Sequence, residues 1–300
     1  MIVPQPSAAI DVATADGAIL RLRRHGNPQG PRIFVSHGNG FAIDGYFPFW
    51  RRFLDRFDVV AFDMRNHGQN PAGDIAGHDY PHMAGDIEVM WQAARDEFGA
   101  RPSAGLFHSM SAQSAVLQAL ATGQRFEALV LFDPPNVPPQ GDPSRKPMLA
   151  YLRRLVEWAA GRRSHFADPA ELARDYAATG AGRGWVTGAH ALVARTVLRP
   201  DPRGGWSLAC PREFESSMYA QGITLGLWPR RADIPGAVKL VGADPDRARP
   251  SPTALSNRAL ARDGGFDYAA IPGTGHLLQL EAPDACADAA LAFLEGIGLR

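Results

Sequence analysis

Short, nearly unbroken apolar runs that each open into a loop constrain this chain more than any other feature. Arg32-Ile33-Phe34-Val35-Ser36, residues 58–63, residues 104–107 and Ala128-Leu129-Val130-Leu131-Phe132 all read this way, with helix-period stretches between them. A strand without polar alternation is one buried on both faces, the state of a parallel strand covered by helices. Residues 19–23 alternate instead, after the turn signal Asp16-Gly17, and are expected to form an antiparallel edge strand. Helices are expected over residues 46–56 and 83–98, the second with Ile87, Met90, Trp91 and Ala94 on one face, and again after Ser109. From residue 138 to 233 the alternation stops. Only helix-like pieces remain there (148–160, 169–179, 189–198 and 212–221), joined by glycine- and proline-rich turns. It resumes with strands at 237–241 and 266–271 and helices at 254–262 and 283–294. Repeated βα units imply an α/β fold: a mostly parallel central sheet with helices on both faces. The expected organisation is a core of residues 1–136 and 235–300 with a helical cap, 137–234, inserted into it.

Composition narrows the function. The 31 basic and 31 acidic residues cancel, so no electrostatic footprint for nucleic acid or an anionic membrane is expected, and a small neutral partner fits better. Cys210 and Cys286 stand far apart without metal-ligand or CxxC spacing. No apolar run is long enough to span a bilayer, and residues 1–6 lack the basic start and apolar core of a leader, so a cytoplasmic protein is expected. No Gly-rich phosphate loop follows a strand, and His78 and His82, four apart, have no third ligand while Pro81 argues against a helix between them. Neither cofactor nor metal is expected. A homodimer is left open.

The chemistry concentrates at strand ends, where open α/β sheets gather their sites. Phe107-His108-Ser109-Met110-Ser111 joins an apolar run to a helix, and a serine at such a turn lifts its hydroxyl clear of the sheet beside helix N-terminal N–H groups. Ser109 is the expected nucleophile, although Phe107 and Ser111 fill the glycine positions of the usual Gly-x-Ser-x-Gly pattern. His276, in a glycine-rich loop after the last strand, is the expected base. Two carboxylates compete to orient it: Asp133, after residues 128–132, and Asp246, after residues 237–241 in a loop with Arg247 and Arg249. Asp133 is preferred for its apolar surroundings, and Asp246 stays open. His37-Gly38-Asn39-Gly40 suits an oxyanion loop in which the Asn39 N–H joins that of Met110, with His37 and Gly38 beside the substrate. Trp158 and Trp185 are expected to line an apolar pocket under the cap.

These motifs together resemble the α/β-hydrolase fold family over nearly the whole chain. His37-Gly38-Asn39-Gly40 is similar to its HGxG loop, Asp63-Met64-Arg65-Asn66-His67-Gly68 to its D-x-R-G-x-G turn, His108-Ser109-Met110 to its elbow, and Gly275-His276 with Glu281 and Pro283 to its terminal segment. Most capped members take the acid after the strand that follows the cap, a placement Asp246 imitates with one extra residue after Gly242. A subset similar to haloalkane dehalogenases and some fungal acyl-CoA hydrolases takes it earlier, where Asp133 and its Pro134-Pro135 pair stand. With serine at the elbow, the resemblance implies cleavage of a small or medium apolar ester or thioester through a Ser-His-Asp triad and an acyl-enzyme. C–C bond hydrolysis, cofactor-free oxygenation and ligand binding with little turnover are the alternatives.

Overall fold

The computed structural model describes residues 1–123 and 125–300. In chain order the strands are β1 (Ala8–Ala13), β2 (Ile19–Gly26), β3 (Arg32–Ser36), β4 (Asp58–Phe62), β5 (Ser103–His108), β6 (Ala128–Phe132), β7 (His165–Phe166), β8 (Leu198–Pro200), β9 (Trp206–Leu208), β10 (Ala237–Ala243) and β11 (Asp267–Ile271). The helices are α1 (Phe47–Trp50), α2 (Tyr80–Phe98), α3 (Met110–Thr122), α4 (Arg145–Gly161), α5 (Pro169–Ala178), α6 (Ala189–Thr196), α7 (Arg212–Thr224), α8 (Pro252–Gly264), α9 (Leu278–Glu281) and α10 (Pro283–Gly296).

Eight strands form one sheet in the order β1-β2-β4-β3-β5-β6-β10-β11, antiparallel at β1-β2 and β2-β4 and parallel from β4 onward. Its central strands are buried along their whole length, as their unbroken apolar runs require. Successive side chains divide between two cores. Phe34, Val60, Leu129 and Leu131 face α2, α3 and α8, whereas Ile33, Val59, Ala61 and Val130 face α1 and α10.

Three local expectations need correction. Residues 19–23 lie in β2, which is not an edge, because β1 pairs outside it in antiparallel register. β1 is rich in alanine, a weak strand former, and that hides its alternation from sequence. Residues 46–56 do not form one helix: a 3₁₀ turn at Ile43–Tyr46, the single turn α1 and a second 3₁₀ turn at Arg51–Phe53 succeed one another. Phe47, Phe49, Trp50 and Phe53 are all buried there, so packing on every side, rather than an amphipathic stripe, sets the backbone. Finally, α2 starts at Tyr80 with Asp79 as its N-cap, and Pro81 is tolerated because it falls in the first turn. Among the described residues no helix is long and apolar enough to cross a membrane.

Between β6 and β10 the chain leaves the sheet and builds α4, α5, α6 and α7. It is not purely helical. β7, β9 and β8 form a small antiparallel sheet, whose strands of two and three residues are too short for alternation to be recognised. The segment's Trp185 packs with Phe166, Leu172, Tyr176 and Val193 in a cluster that also takes in Ala42, Leu277 and Leu280 from outside the segment.

Phe107, the bulky residue at the first glycine position of the elbow, is fully buried, edge-on to the rings of Phe62 and Phe126. The room comes from Gly105, two residues earlier on the same face of β5, where a Cβ would overlap the Phe107 ring. A Gly105→Ala substitution is therefore expected to destabilise the protein by about 1–3 kcal/mol through overpacking. Urea unfolding checks this, and pairing it with Phe107→Leu is expected to recover part of the loss.

Candidate active site

Three side chains from three strand ends meet above the sheet. Ser109, between β5 and α3, has φ 54° and ψ −115°, in the left-handed region that a non-glycine residue adopts only when its surroundings hold it there. The turn is fixed from beneath: the Ser109 N–H donates to the Phe132 carbonyl at 2.9 Å. Ser111, at the second glycine position, spends its hydroxyl on the turn itself, accepting from the His108 N–H at 3.0 Å and donating to the His108 carbonyl at 2.9 Å.

Ser109 Oγ lies 3.0 Å from His276 Nε2, and His276 Nδ1 lies 2.7 Å from Asp133 Oδ2. A carboxylate oxygen only accepts, so Nδ1 carries the imidazole proton and Nε2 is free to accept from the serine hydroxyl. Asp133 is fully buried at the end of β6. Its Oδ1 accepts from the Ala243 N–H at 3.0 Å and from Asn257 Nδ2 on α8 at 2.9 Å, which leaves Oδ2 aimed at the histidine.

Asp246 is elsewhere. Its side chain is 81% exposed and paired with Arg258 at 2.6 Å, so it does not reach His276. Its neighbour Asp244 joins the two loops instead, accepting from Gly273 N–H at 2.7 Å.

The loop 37–40 passes directly beside the serine. A Cβ on Gly38 would come within 3.1 Å of Ser109 Cβ and 2.9 Å of His108 Nδ1, so only glycine lets the backbone approach this closely. Among the described residues the N–H groups of Asn39 and Met110 make no hydrogen bond; Met110 follows Ser109 in the chain, and Asn39 follows Gly38, the residue that passes beside it. His37 is fully buried, with Nδ1–H donating to the Gly38 carbonyl at 2.8 Å and Nε2 accepting from Met64 N–H at 3.1 Å. Both ring nitrogens are spent on backbone. His67 repeats the pattern between Arg65 carbonyl and Gly40 N–H, which ties the turn after β4 to the loop after β3.

Of the two tryptophans, Trp158 lines a cavity with Phe166, Leu172 and Tyr176, and Trp185 lies in the interior. Trp158 lies 43% exposed on α4 under the Arg162 guanidinium, and Trp185 is buried against Tyr176 and His190. His78 and His82 do not converge: His78 is buried beside Asn66, while His82 turns outward onto its N-cap Asp79. Among the described residues no group of three or more metal-ligating side chains occurs.

Further residues support this site, some of them without a sequence signal. His108 Nε2–H donates to the His276 carbonyl at 2.9 Å, and its Nδ1 accepts from the Tyr46 hydroxyl at 2.9 Å. The residue before the serine thus holds the backbone of the residue that faces it. Asn257 sits mid-helix, and Tyr151, whose ring stands edge-on 6.5 Å from that of His276, sits on α4; neither lies in a motif.

The family model described as "Alpha/beta hydrolase family" matches residues 33–289. This chain belongs to the alpha/beta hydrolase family. Among solved structures of this fold, E-2-(acetamidomethylene)succinate hydrolase superposes with a TM-score of 0.75 at 18% identity, covering 96% of this chain and 99% of that one. The thioesterase domain from the curacin biosynthetic pathway superposes at 0.69, also at 18% identity, over 95% of this chain and 100% of that one. The dihydrolipoyllysine-residue acetyltransferase component of the acetoin cleaving system of Cupriavidus necator is 30% identical over 128 residues, 43% of this chain and 33% of that protein. The chain thus matches about a third of that relative's length.

The buried histidines make stability depend on pH. Burial lowers His37 to about 4 and His67 to about 3, with His25 at about 4 and His78 at about 3. Unfolded, each takes a proton near pH 6.5, so below that value the unfolded chain binds more protons than the folded one. The stability due to each is full above about pH 6.5 and falls by up to about 1.4 kcal/mol per pH unit as pH drops toward 4. The urea midpoint is therefore expected to fall steeply between about pH 6.5 and 4, and less steeply in His67→Gln; an unchanged midpoint across that window would contradict the assignment.

Proposed function

We propose that this protein is a serine hydrolase that cleaves a small or medium carboxylic ester or thioester through an acyl-enzyme. The observation that carries the reading is the continuous hydrogen-bonded line from Asp133 through His276 to Ser109, closed beside the loop that carries the unbonded Asn39 N–H. Ser109 Oγ attacks the carbonyl carbon as its proton passes to His276 Nε2, and Asp133 stabilises the imidazolium that forms. The N–H groups of Asn39 and Met110 receive the developing oxyanion. The tetrahedral intermediate collapses by breaking the bond to the alcohol or thiol, which takes the proton back from His276. Water then gives a proton to the same nitrogen and attacks the acyl carbon; the acyl carbon–Oγ bond breaks, Ser109 Oγ takes that proton back from His276, and the acid is released. The substrate is expected to enter between the sheet edge and the inserted segment.

Ser109→Ala is expected to lower p-nitrophenyl ester turnover by about 10⁴-fold or more and to abolish labelling by a fluorophosphonate. Asp133→Asn is expected to cost on the order of 10⁴ in kcat by favouring the wrong imidazole tautomer. Asp246→Asn removes only a surface pair and should leave kcat within about twofold. An unlabelled Ser109 in the unmodified protein would favour a binding protein over an enzyme, and a large loss in Asp246→Asn would overturn the choice of acid.

A further inference from the structure

Glu215, on α7, is 98% withdrawn from solvent and lies against the oxyanion loop. Its main-chain carbonyl accepts from Asn39 Nδ2 at 2.8 Å, and a Cβ on Gly40, which has φ +75°, would fall on its carboxylate. Asn39 and Gly40 are thus gripped from the inserted segment by both the backbone and the side chain of one residue. Behind Glu215 stands Arg162, at the end of α4. Its Nη1 donates to Glu215 Oε2 at 2.8 Å and its Nη2 to the Tyr176 hydroxyl at 3.2 Å, while Trp158 covers the guanidinium from outside. Tyr176 in turn stacks on Phe41, the residue after the loop.

A buried ion pair is a poor stabiliser, because removing two charges from water costs about as much as their attraction returns. Well-packed apolar residues would serve stability as well. The position of this pair suggests another role. The proposed oxyanion forms at the Asn39 N–H, and a carboxylate with no compensating charge beside Gly40 would oppose it through a low-dielectric interior.

We propose that Glu215 and Arg162 are a positioning pair for the oxyanion loop, in which Glu215 fixes Asn39 and Gly40 while Arg162 cancels the charge that Glu215 brings there. The proposal rests on the serine-hydrolase reading above. Among the described residues, the groups facing Glu215 are Arg162 from the end of α4, Tyr176 from α5, Tyr219 one turn along α7, which hydrogen-bonds the carboxylate, Cys210 just before α7, and from the core Asn39 and the Gly40 backbone. Of these, Arg162 alone is a cation. Burial pushes the Glu215 carboxyl up, and Arg162 pulls it back toward the charged form.

The experiment compares kcat against pH for the unmodified protein, R162M, E215Q and the double variant R162M/E215Q on one p-nitrophenyl ester. In R162M, kcat is expected to fall about tenfold or more at alkaline pH with KM within about twofold. The loss is expected to shrink at lower pH, where the stranded carboxyl is protonated, which gives the profile a descending alkaline limb. R162M/E215Q removes the stranded charge and is expected to regain most of kcat and to lose that limb. A purely structural role would make the double variant no better than R162M, and that result, or an R162M profile like that of the unmodified protein, overturns the proposal. If R162M does not fold, R162K serves: it keeps the charge, and a descending alkaline limb in it overturns the proposal as well. Fluorophosphonate labelling of the unmodified protein separates the two failures. No labelling and no ester turnover count against the serine-hydrolase reading itself, whereas labelling with no recovery in the double variant counts against the pair.

Discussion

The arrangement depends on the hydrogen bonding of one buried carboxylate. Asp133 has no contact with solvent, and a carboxylate there without partners would carry a desolvation cost of several kcal/mol. Its partners come from three different elements. The N–H of Ala243 extends the parallel ladder of β10, Asn257 reaches in from α8, and His276 arrives on the loop after β11. The backbone of Asp133 bends to meet them, with φ 44°, and its N–H donates to the Val241 carbonyl at 2.8 Å. Two oxygens with three donors leave Asp133 one orientation. The histidine ring is therefore fixed by the sheet itself, and the serine needs only to stand where Nε2 points.

Around that line the site is built from neutral imidazoles. His37, His67 and His108 each donate from one ring nitrogen and accept on the other, which only the neutral form can do. They bridge loops that follow different strands: β3 to β4 through His37 and His67, and β5 to β11 through His108. An amide side chain could donate and accept in the same way. Imidazole does so with a rigid ring that also fills the space between loops, at the cost of a dependence on pH that an amide would not bring.

The mostly parallel sheet and the serine, histidine and two carboxylates at strand ends were legible, because unbroken apolar runs and the polar residues that end them are local properties of sequence; the order of the strands in the sheet was not. What was not legible depended on pairing across the fold. β1 is invisible until β2 lies beside it, and the seating of Asp133 beside His276 depends on Asn257 and Ala243, more than a hundred residues from Asp133. The elbow shows the same limit. Its missing first glycine looked like a defect at Phe107, yet the space a glycine would provide is supplied by Gly105 beneath the ring. Space in a sheet belongs to a face, and neighbours on that face are two apart in sequence.

The inserted segment carries a further consequence. Its contact with the oxyanion loop runs through Glu215, Arg162 and Tyr176, which belong to three separate elements, α7, the end of α4 and α5. Docking these elements on one another and docking them on the loop are therefore one event. If α7 shifted away from Asn39, Glu215 would lose its hold on the loop and Arg162 its partner together, and each buried charge would then be left uncompensated. The loop geometry on which the proposed chemistry relies is thus tied to the seating of the inserted segment against Asn39 and Gly40 through Glu215 and Arg162.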